Sequence, residues 1–366
     1  MAKNSLPNKE KDNGMDAANE FRHVVVMGAS TGGFEAFKRI VKDLPPDFET
    51  PVFMVWHMSP DVLGVLPQVL NRVNKIYAAH PYDNEKIISN RIYVAKPDHH
   101  LLLNDGRIRI TRGPKENRFR PAIDPLFRSA AYSYGPGTIG VVLSGALDDG
   151  SAGLWTIKDY GGVAVVQDPS DAEVSSMPDN AIQQVTVDHI VPVSRIGELL
   201  VHLSKESITE SIHTIKDEQT KKEIQIAAEE NAFEKNLMAL GELTPFTCPE
   251  CHGVLSRLDS GNILRFRCHT GHAYSIDALM ASLTETVEEA LYNVIRGMDE
   301  TILLLNHLGD HYAEANQPKM AALYFKKAKM AAERSTLVRR AALVHENLSK
   351  ESLEKEMQNE NIPAEK

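Results

Sequence analysis

The sequence predicts an α/β domain with a mainly parallel sheet flanked by helices, followed by a compact Cys/His segment and a C-terminal helical hairpin. Three observations carry this. Short unbroken runs of Val and Ile alternate with segments long enough for crossover helices, the texture of strands buried on both faces. All three cysteines then fall within 21 residues. Beyond them, apolar residues recur at steps of three or four over two long stretches.

Residues 1–21 mix Lys, Asn, Asp, Glu and Gly without apolar periodicity, the composition of a disordered tail. The α/β domain is expected over 22–204. Its strands are VVVM at 24–27, VFMVW at 52–56, IYVA at 92–95, TIGVVL at 138–143 and VAVV at 163–166. One hairpin interrupts the alternation, because HLLLNDGRIRIT places Asn104-Asp105-Gly106 between two arms of alternating polarity. Residues 205–245 form a charged, partly helical linker; 205–242 hold five Lys against nine Asp/Glu. The Cys/His segment spans 246–274. From Leu279 through Leu283, Val287, Leu291 and Val294 to Leu308, apolar residues share one helix face, and Gly309 is a plausible stop. After Pro318, Met320, Leu323, Ala328 and Ala331 give a second helix that packs back on the first, so a hairpin is expected over 275–348 and a polar tail over 349–366.

Composition excludes several classes. The 366 residues carry 40 Lys+Arg against 50 Asp+Glu, a net charge of -10, and no basic block that could replace phosphate counterions, so general nucleic-acid binding is not expected. With 42% hydrophobic residues the chain can build sizeable cores, which excludes wholesale disorder. No apolar run approaches a membrane span, and the N-terminus lacks the apolar core of a secretory signal; a cytoplasmic protein without membrane insertion is expected.

The first candidate for chemistry is Gly28-Ala29-Ser30-Thr31-Gly32-Gly33, directly after the strand VVVM and before an amphipathic stretch. A Gly-x-Ser-x-Gly on a strand-to-helix turn forces the serine into a tight elbow at a helix N-terminus, where backbone N–H groups such as that of Thr31 can stabilise an oxyanion. A phosphate-binding turn or a purely structural turn would use similar glycines, although the spacing is not G-x-G-x-x-G and no Lys follows. A nucleophilic serine needs a base and a carboxylate. His57 directly follows VFMVW, and Asp148 and Asp149 follow TIGVVL, so all three residue types stand at carboxyl ends of strands, where open α/β sheets place their sites.

Several blocks together carry a family resemblance: GASTGG at 28–33, WHMSPD at 56–61, YVAKPDHHL at 93–101, RPAIDPLFRSAA at 120–131, LSGALDDGSAGL at 143–154 and QDPSDAEVSSMPDNAI at 167–182. Residues 23–203 resemble the catalytic domain of CheB-type protein-glutamate methylesterases. The resemblance implies Ser30 as nucleophile, His57 as base and Asp149 as its orienting carboxylate, with Asp148 where the family often has Asn. It further implies Thr31 in the oxyanion hole, and Met177 and Pro178 near the serine. The implied activity is hydrolysis of glutamyl methyl esters on methyl-accepting chemotaxis receptors, with deamidation of receptor glutamines by the same route and no catalytic cofactor. The family commonly carries an N-terminal receiver domain, for which the 22 residues before the first strand leave no room, so a different regulatory input is expected. A non-catalytic signalling adaptor that retains the fold, and an esterase or amidase for another substrate, are the competing readings.

Cys248-Pro-Glu-Cys251 and, sixteen residues on, Cys268-His-Thr-Gly-His272 offer three thiolates and an imidazole in two close pairs. That is the knuckle spacing of a zinc ribbon, with C-x3-H in place of the second C-x2-C. Cys248, Cys251, Cys268 and His272 are the expected ligands of a structural zinc, with His252 and His269 as competitors for the fourth place; a metal-free β-hairpin with buried thiols is the alternative.

Overall fold

The computed structural model describes residues 21–59, 64–208, 218–229, 241–261 and 263–346, together with 348 and 353. The expected N-terminal and C-terminal tails lie almost wholly outside the described residues, as do 209–217 and 230–240 of the expected linker.

The first domain is a three-layer α/β sandwich. Its strands are β1 (Val24–Ala29), β2 (Val52–Trp56), β3 (Tyr77–Ala79), β4 (Arg91–Val94), β7 (Thr138–Val142), β8 (Val163–Gln167) and β9 (His189–Val191), in the order β3-β4-β2-β1-β7-β8-β9, all parallel. The five predicted strands form its centre. The edge strands β3 and β9, three residues each, are too short to leave an apolar signature. The predicted hairpin is β5 (His100–Asn104) with β6 (Arg107–Thr111), antiparallel and separate from the main sheet.

Alternate residues of the strands feed two cores. Val24, Val26, Phe53 and Val142 point to the layer of α3 (Ile123–Tyr134), α4 (Ser151–Asp159) and α5 (Ser176–Gln184). Val25, Met27, Met54 and Val141 point to α1 (Gly33–Asp43), α2 (Leu66–Val73) and α6 (Val193–Leu203). Burial on both faces explains the unbroken Val/Ile runs. The chain leaves β1 towards β2 on one side and returns to β7 on the other, so the crevice at the carboxyl ends of β1 and β7 is a topological switch point.

The Cys/His segment is a four-stranded antiparallel sheet of β10 (Glu242–Thr247), β11 (Val254–Ser260), β12 (Ile263–Cys268) and β13 (Ala273–Ser275). It is docked on the first domain. Asn117 N–H donates to Ala273 O at 2.8 Å and Ala273 N–H to Lys115 O at 3.2 Å, so β13 pairs with the 115–117 loop. Part of the expected linker, α7 (Glu218–Ala227), is helical as expected and packs into the same junction, with Thr111 Oγ1 donating to Ala227 O at 2.6 Å.

At that junction lies a buried ion network. Glu223 of α7 accepts two hydrogen bonds from Arg265 at 2.7 and 2.8 Å and one from Arg267 at 2.9 Å, while Glu116 accepts from Arg128 at 2.7 and 2.8 Å and from Arg267 at 3.0 Å. Burial pushes the Glu223 carboxyl up, but Arg265, Arg128 and Arg267 outweigh it and hold it well below the ordinary carboxylate value. Removing one carboxylate leaves buried guanidiniums uncompensated, the expensive case for a buried pair. Glu223→Ala is therefore expected to cost about 3–5 kcal/mol, read as a fall in the urea midpoint; an unchanged midpoint would contradict the network's role.

The C-terminal hairpin comprises α8 (Ile276–Glu314) and α9 (Pro318–Leu343). Contrary to expectation, Gly309 does not stop α8, which continues to Glu314. Gly309 is buried, and a Cβ there would lie 2.5 Å from the Phe325 ring, so its missing side chain admits the neighbouring helix. The seam is made of small residues seven apart, Ala321, Ala328, Ser335 and Ala342, all buried, which is coiled-coil spacing. Most of the predicted α8 face meets neighbouring structure: Leu279 is buried and Leu283, Leu291, Met298, Ile302, Leu305 and Leu308 are half-buried, whereas Val287 and Val294 are exposed and Ile295, outside the predicted face, is buried. No described helix is long and apolar enough to cross a membrane.

Candidate active site and metal centre

Ser30 leaves β1 at the switch point. Its N–H donates to Ser144 O at 2.9 Å, and its carbonyl accepts from Gly33 N–H and from Trp56 Nε1 at 2.9 Å, which locks the elbow between β1, β2 and β7. Gly32 holds φ +80°, the left-handed region that glycine adopts freely, and so turns the chain into α1. The backbone after β7 comes equally close: a Cβ on Gly145 would lie 2.8 Å from Ser30 Cβ and 2.1 Å from Met177 Sδ. Met177 thus lies beside the serine, where the resemblance put it. The Thr31 side chain is exposed, and among the described residues its N–H has no backbone acceptor.

His57 leaves β2, its N–H donating to Ala29 O at 3.0 Å. Its ring is buried, stacked on Phe119 at 3.9 Å between centroids and 7° between planes. Nε2 lies 2.7 Å from Asp149 Oδ2. The geometry thus pairs His57 with Asp149 of the two candidate carboxylates. Burial pushes the Asp149 carboxyl up, but His57, the Ile123 N–H and the Asn117 amide outweigh it and hold it below the ordinary carboxylate value. An ionised carboxylate only accepts, so Nε2–H is the donor of this pair, and in the neutral imidazole that leaves Nδ1 as the acceptor. Among the described residues Nδ1 is buried without a hydrogen-bond partner. Ser30 is not hydrogen-bonded to it here, a common looseness before substrate is bound.

Asn117 is a part of the site that sequence reasoning missed. Its Nδ2 donates to Asp149 Oδ1 at 2.8 Å and to Asp124 Oδ2 at 2.9 Å, and its Oδ1 accepts from Ser275 N–H at 2.8 Å. It therefore ties the carboxylate beside His57 to the start of α8. Phe119, two residues on, forms the wall behind His57. The available signal was position, since both precede the RPAIDP block directly, but nothing in their residue types marks them.

Asp148 points away from His57. It is buried and accepts a hydrogen bond from Ser275 Oγ, the N-cap of α8, whose Oγ in turn accepts from Ala278 N–H at 3.1 Å. Burial, together with the nearby Asp277 charge, pushes its carboxyl up to about 8. An acid raised in the folded state contributes a penalty that grows as pH rises from its unfolded value near 3.8 to about 8, then stays constant. Asp148→Asn removes that penalty, so it is expected to be more stable than wild type at pH 9 by a few kcal/mol at most, with the gain vanishing near pH 4. Denaturant midpoints at the two pH values check this; an equal effect at both would refute it.

The two cysteine knuckles meet as the spacing predicts. The donor atoms of Cys248, Cys251, Cys268 and His272 all lie within 4.8 Å of one another. Cys251 and Cys268 Sγ are 3.6 Å apart, and His272 Nδ1 stands 3.6 Å from Cys268 Sγ and 3.7 Å from Cys248 Sγ. A tetrahedron with Zn–S bonds of about 2.3 Å has edges of about 3.8 Å, so this donor set fits zinc. His252 and His269 stand outside the cluster; the His269 ring lies over Gly253.

The family model described as CheB methylesterase matches residues 25–200. A candidate protein-glutamate methylesterase/protein-glutamine glutaminase of Leptospira interrogans is 38% identical over 185 residues, which are 50% of this chain and 96% of that protein. A protein-glutamate methylesterase/protein-glutamine glutaminase of Anaeromyxobacter dehalogenans is 35% identical over 182 residues, 50% of this chain but only 53% of that protein. The crystal structure of the Thermotoga maritima CheB methylesterase catalytic domain shares 31% identity, covering 50% of this chain and 98% of that one with a TM-score of 0.48. Through residues 25–200, this chain belongs to the CheB methylesterase family.

Proposed function

We propose that this chain is a cytoplasmic protein-glutamate methylesterase that hydrolyses glutamyl methyl esters on the signalling helices of methyl-accepting chemotaxis receptors. The observation that carries the reading is His57, whose Nε2 is held 2.7 Å from a buried, ionised Asp149 while Nδ1 stays unpartnered at the strand ends that present Ser30. The names of the related proteins support the substrate class.

In this mechanism Nδ1 of His57 takes the Ser30 hydroxyl proton as Oγ attacks the ester carbonyl. Asp149 stabilises the resulting imidazolium, and the Thr31 N–H faces the developing oxyanion. The proton then passes to the departing methoxide, and methanol leaves an acyl-Ser30. Water activated by His57 restores the glutamate carboxylate. Attack on a glutamine amide by the same route releases ammonia instead. No step draws on a cofactor. The Cys248, Cys251, Cys268 and His272 set binds one structural zinc, and its four protein ligands leave no open position for chemistry.

Membranes bearing methylated receptors are expected to release methanol with the wild-type protein and not with Ser30→Ala, while a serine-reactive organophosphonate labels wild type only. Labelling of Ser30 without methanol release would overturn the substrate. Absence of labelling in wild type would overturn the nucleophile and favour a non-catalytic adaptor.

A further inference from the structure

Asp124 stands beside the His57 and Asp149 pair, and the mechanism above gives it no part. It is buried in the first turn of α3. Its Oδ1 accepts from Gly150 N–H at 3.1 Å and from Gly153 N–H at 2.7 Å, at the start of α4, and its Oδ2 accepts from Asn117 Nδ2 at 2.9 Å. Asp149, just before α4, does the same for α3: Oδ2 accepts from Ile123 N–H at 2.7 Å and Oδ1 from Asp124 N–H at 3.3 Å. Each carboxylate thus caps the helix that starts beside the other, where the positive end of a helix favours negative charge. Asn117 closes the ring, because the two hydrogens of its amide go one to each carboxylate. A Cβ on Gly153 would lie 2.5 Å from Phe127 Cβ and 3.1 Å from Asp124 Oδ1, so α4 reaches this carboxylate only because that side chain is missing.

We propose that Asp124 is a positioning residue for the reaction: its ionised carboxylate holds Asn117 and the first turn of α4 so that Asp149 meets His57 Nε2, and loss of its charge slows the chemistry. This role rests on Ser30, His57 and Asp149 acting as proposed above. A charged acceptor holds its donors about twice as strongly as a neutral one, so protonation slackens the Asn117 bond and with it one of the contacts that fix Asp149. The charges that face Asp124 come from three elements. Asp148 and Asp149 lie in the loop between β7 and α4, Arg128 lies one turn along α3, and Arg265 comes from β12. Burial and the Asp149 charge outweigh Arg128, the Gly153 N–H and Arg265, and push the Asp124 carboxyl up to about 7. Its charge therefore appears across the neutral range, full above it and lost below it.

Asp124→Asn removes that charge at every pH with little change of shape, and its amide nitrogen, a donor, meets the donating Asn117 amide. The rate of Ser30 labelling by the organophosphonate is compared between wild type and variant from about pH 5.5 to about pH 8.5. The ratio of wild type to variant is expected to grow about tenfold from the acid to the alkaline end, with its step near pH 7. Methanol release shows the same step in kcat, with KM unchanged. A contact that only keeps the fold gives one ratio at all pH values, and that result overturns the proposal. Since Asp124 acts chiefly through Asn117, Asp124→Asn costs less than about twofold in an Asn117→Ala chain; a loss as large as in the wild-type background overturns it too. If Asp124→Asn does not fold, the ratio of wild type to Asn117→Ala carries the same step, and a flat ratio there overturns the proposal. A wild type unlabelled at every pH overturns the nucleophile and this role together, whereas a pH-independent loss in a labelled protein overturns the role of Asp124 alone.

Discussion

Asp149→Asn lowers turnover of the methyl ester about 10³–10⁴-fold, with KM little changed. The carboxylate at 149 only accepts, and it accepts from four groups: His57 Nε2, the Ile123 N–H, the Asn117 amide and the Asp124 N–H. An amide has one accepting oxygen and a two-proton nitrogen, so it cannot serve all four. Turned to satisfy Asn117 and the backbone, it presents N–H to Nε2; the imidazole proton then moves to Nδ1, the atom the mechanism needs free. The serine stays in its elbow, held by Ser144 and Trp56, so substrate still binds while proton transfer fails. Asn117→Ala deepens the assignment, because it removes one support of Asp149 without touching His57; turnover falls by about tenfold and the acid limb of the kcat/KM profile moves. Asp148→Asn is the control, with turnover within a few-fold of wild type, since that carboxylate faces Ser275 rather than His57. Kinetics of the three variants on one methylated receptor substrate decide the matter. A larger loss in Asp148→Asn than in Asp149→Asn would reverse the assignment of the two carboxylates.

Much of this site was legible because its parts follow strands. Apolar runs ending at Met27, Trp56 and Leu143 put Ser30, His57 and the Asp pair just beyond the carboxyl ends of three predicted strands, and the structure brings those ends to one edge of a parallel sheet. The choice between Asp148 and Asp149 was also available, though only through family resemblance; one residue turns the side chain from Ser275 to His57, and no pattern in the chain encodes that. Asn117 and Phe119 were illegible for a different reason. They stand in an irregular loop whose conformation is fixed by pairing with β13, more than 150 residues later, and such long-range contacts leave no local period. Glu223 is the same case: within a run of Lys and Glu it reads as a solvated charge, yet it is buried because Arg265 and Arg267 meet it. Gly309 shows the converse error, where a residue that signals a helix end locally serves as a notch for Phe325.

Cys248→Ser with Cys268→Ser is expected to abolish the proposed zinc binding and to take most of the catalytic rate with it, although both residues lie outside the proposed Ser-His-Asp group. The chain of causes runs through β13. A ribbon of about 30 residues has little core of its own; here Leu255, Phe266 and Tyr274 gather around Cys248 and Cys268, so metal binding would supply most of its folding free energy, about 10 kcal/mol or more. Without it, β12 and β13 lose their fixed register. Arg265 and Arg267 then leave Glu223 and Glu116, and Ala273 and Ser275 leave the loop that holds Asn117. Asn117 is one of the four groups that position the Asp149 carboxylate, and Phe119 in the same loop backs the His57 ring. Displacement of a positioned group by about 1 Å costs on the order of 10²-fold in rate, which sets the expected loss in the double variant. Elemental analysis is expected to show one zinc per chain in wild type and none in the variant. Organophosphonate labelling of Ser30 would slow in parallel, and hydrogen exchange would rise across 242–275 and across 115–119 but not across β1, β2 and β7. A metal-free variant with an intact ribbon and full activity would refute both the zinc assignment and the coupling, while zinc loss with unchanged exchange at 115–119 would refute the coupling alone.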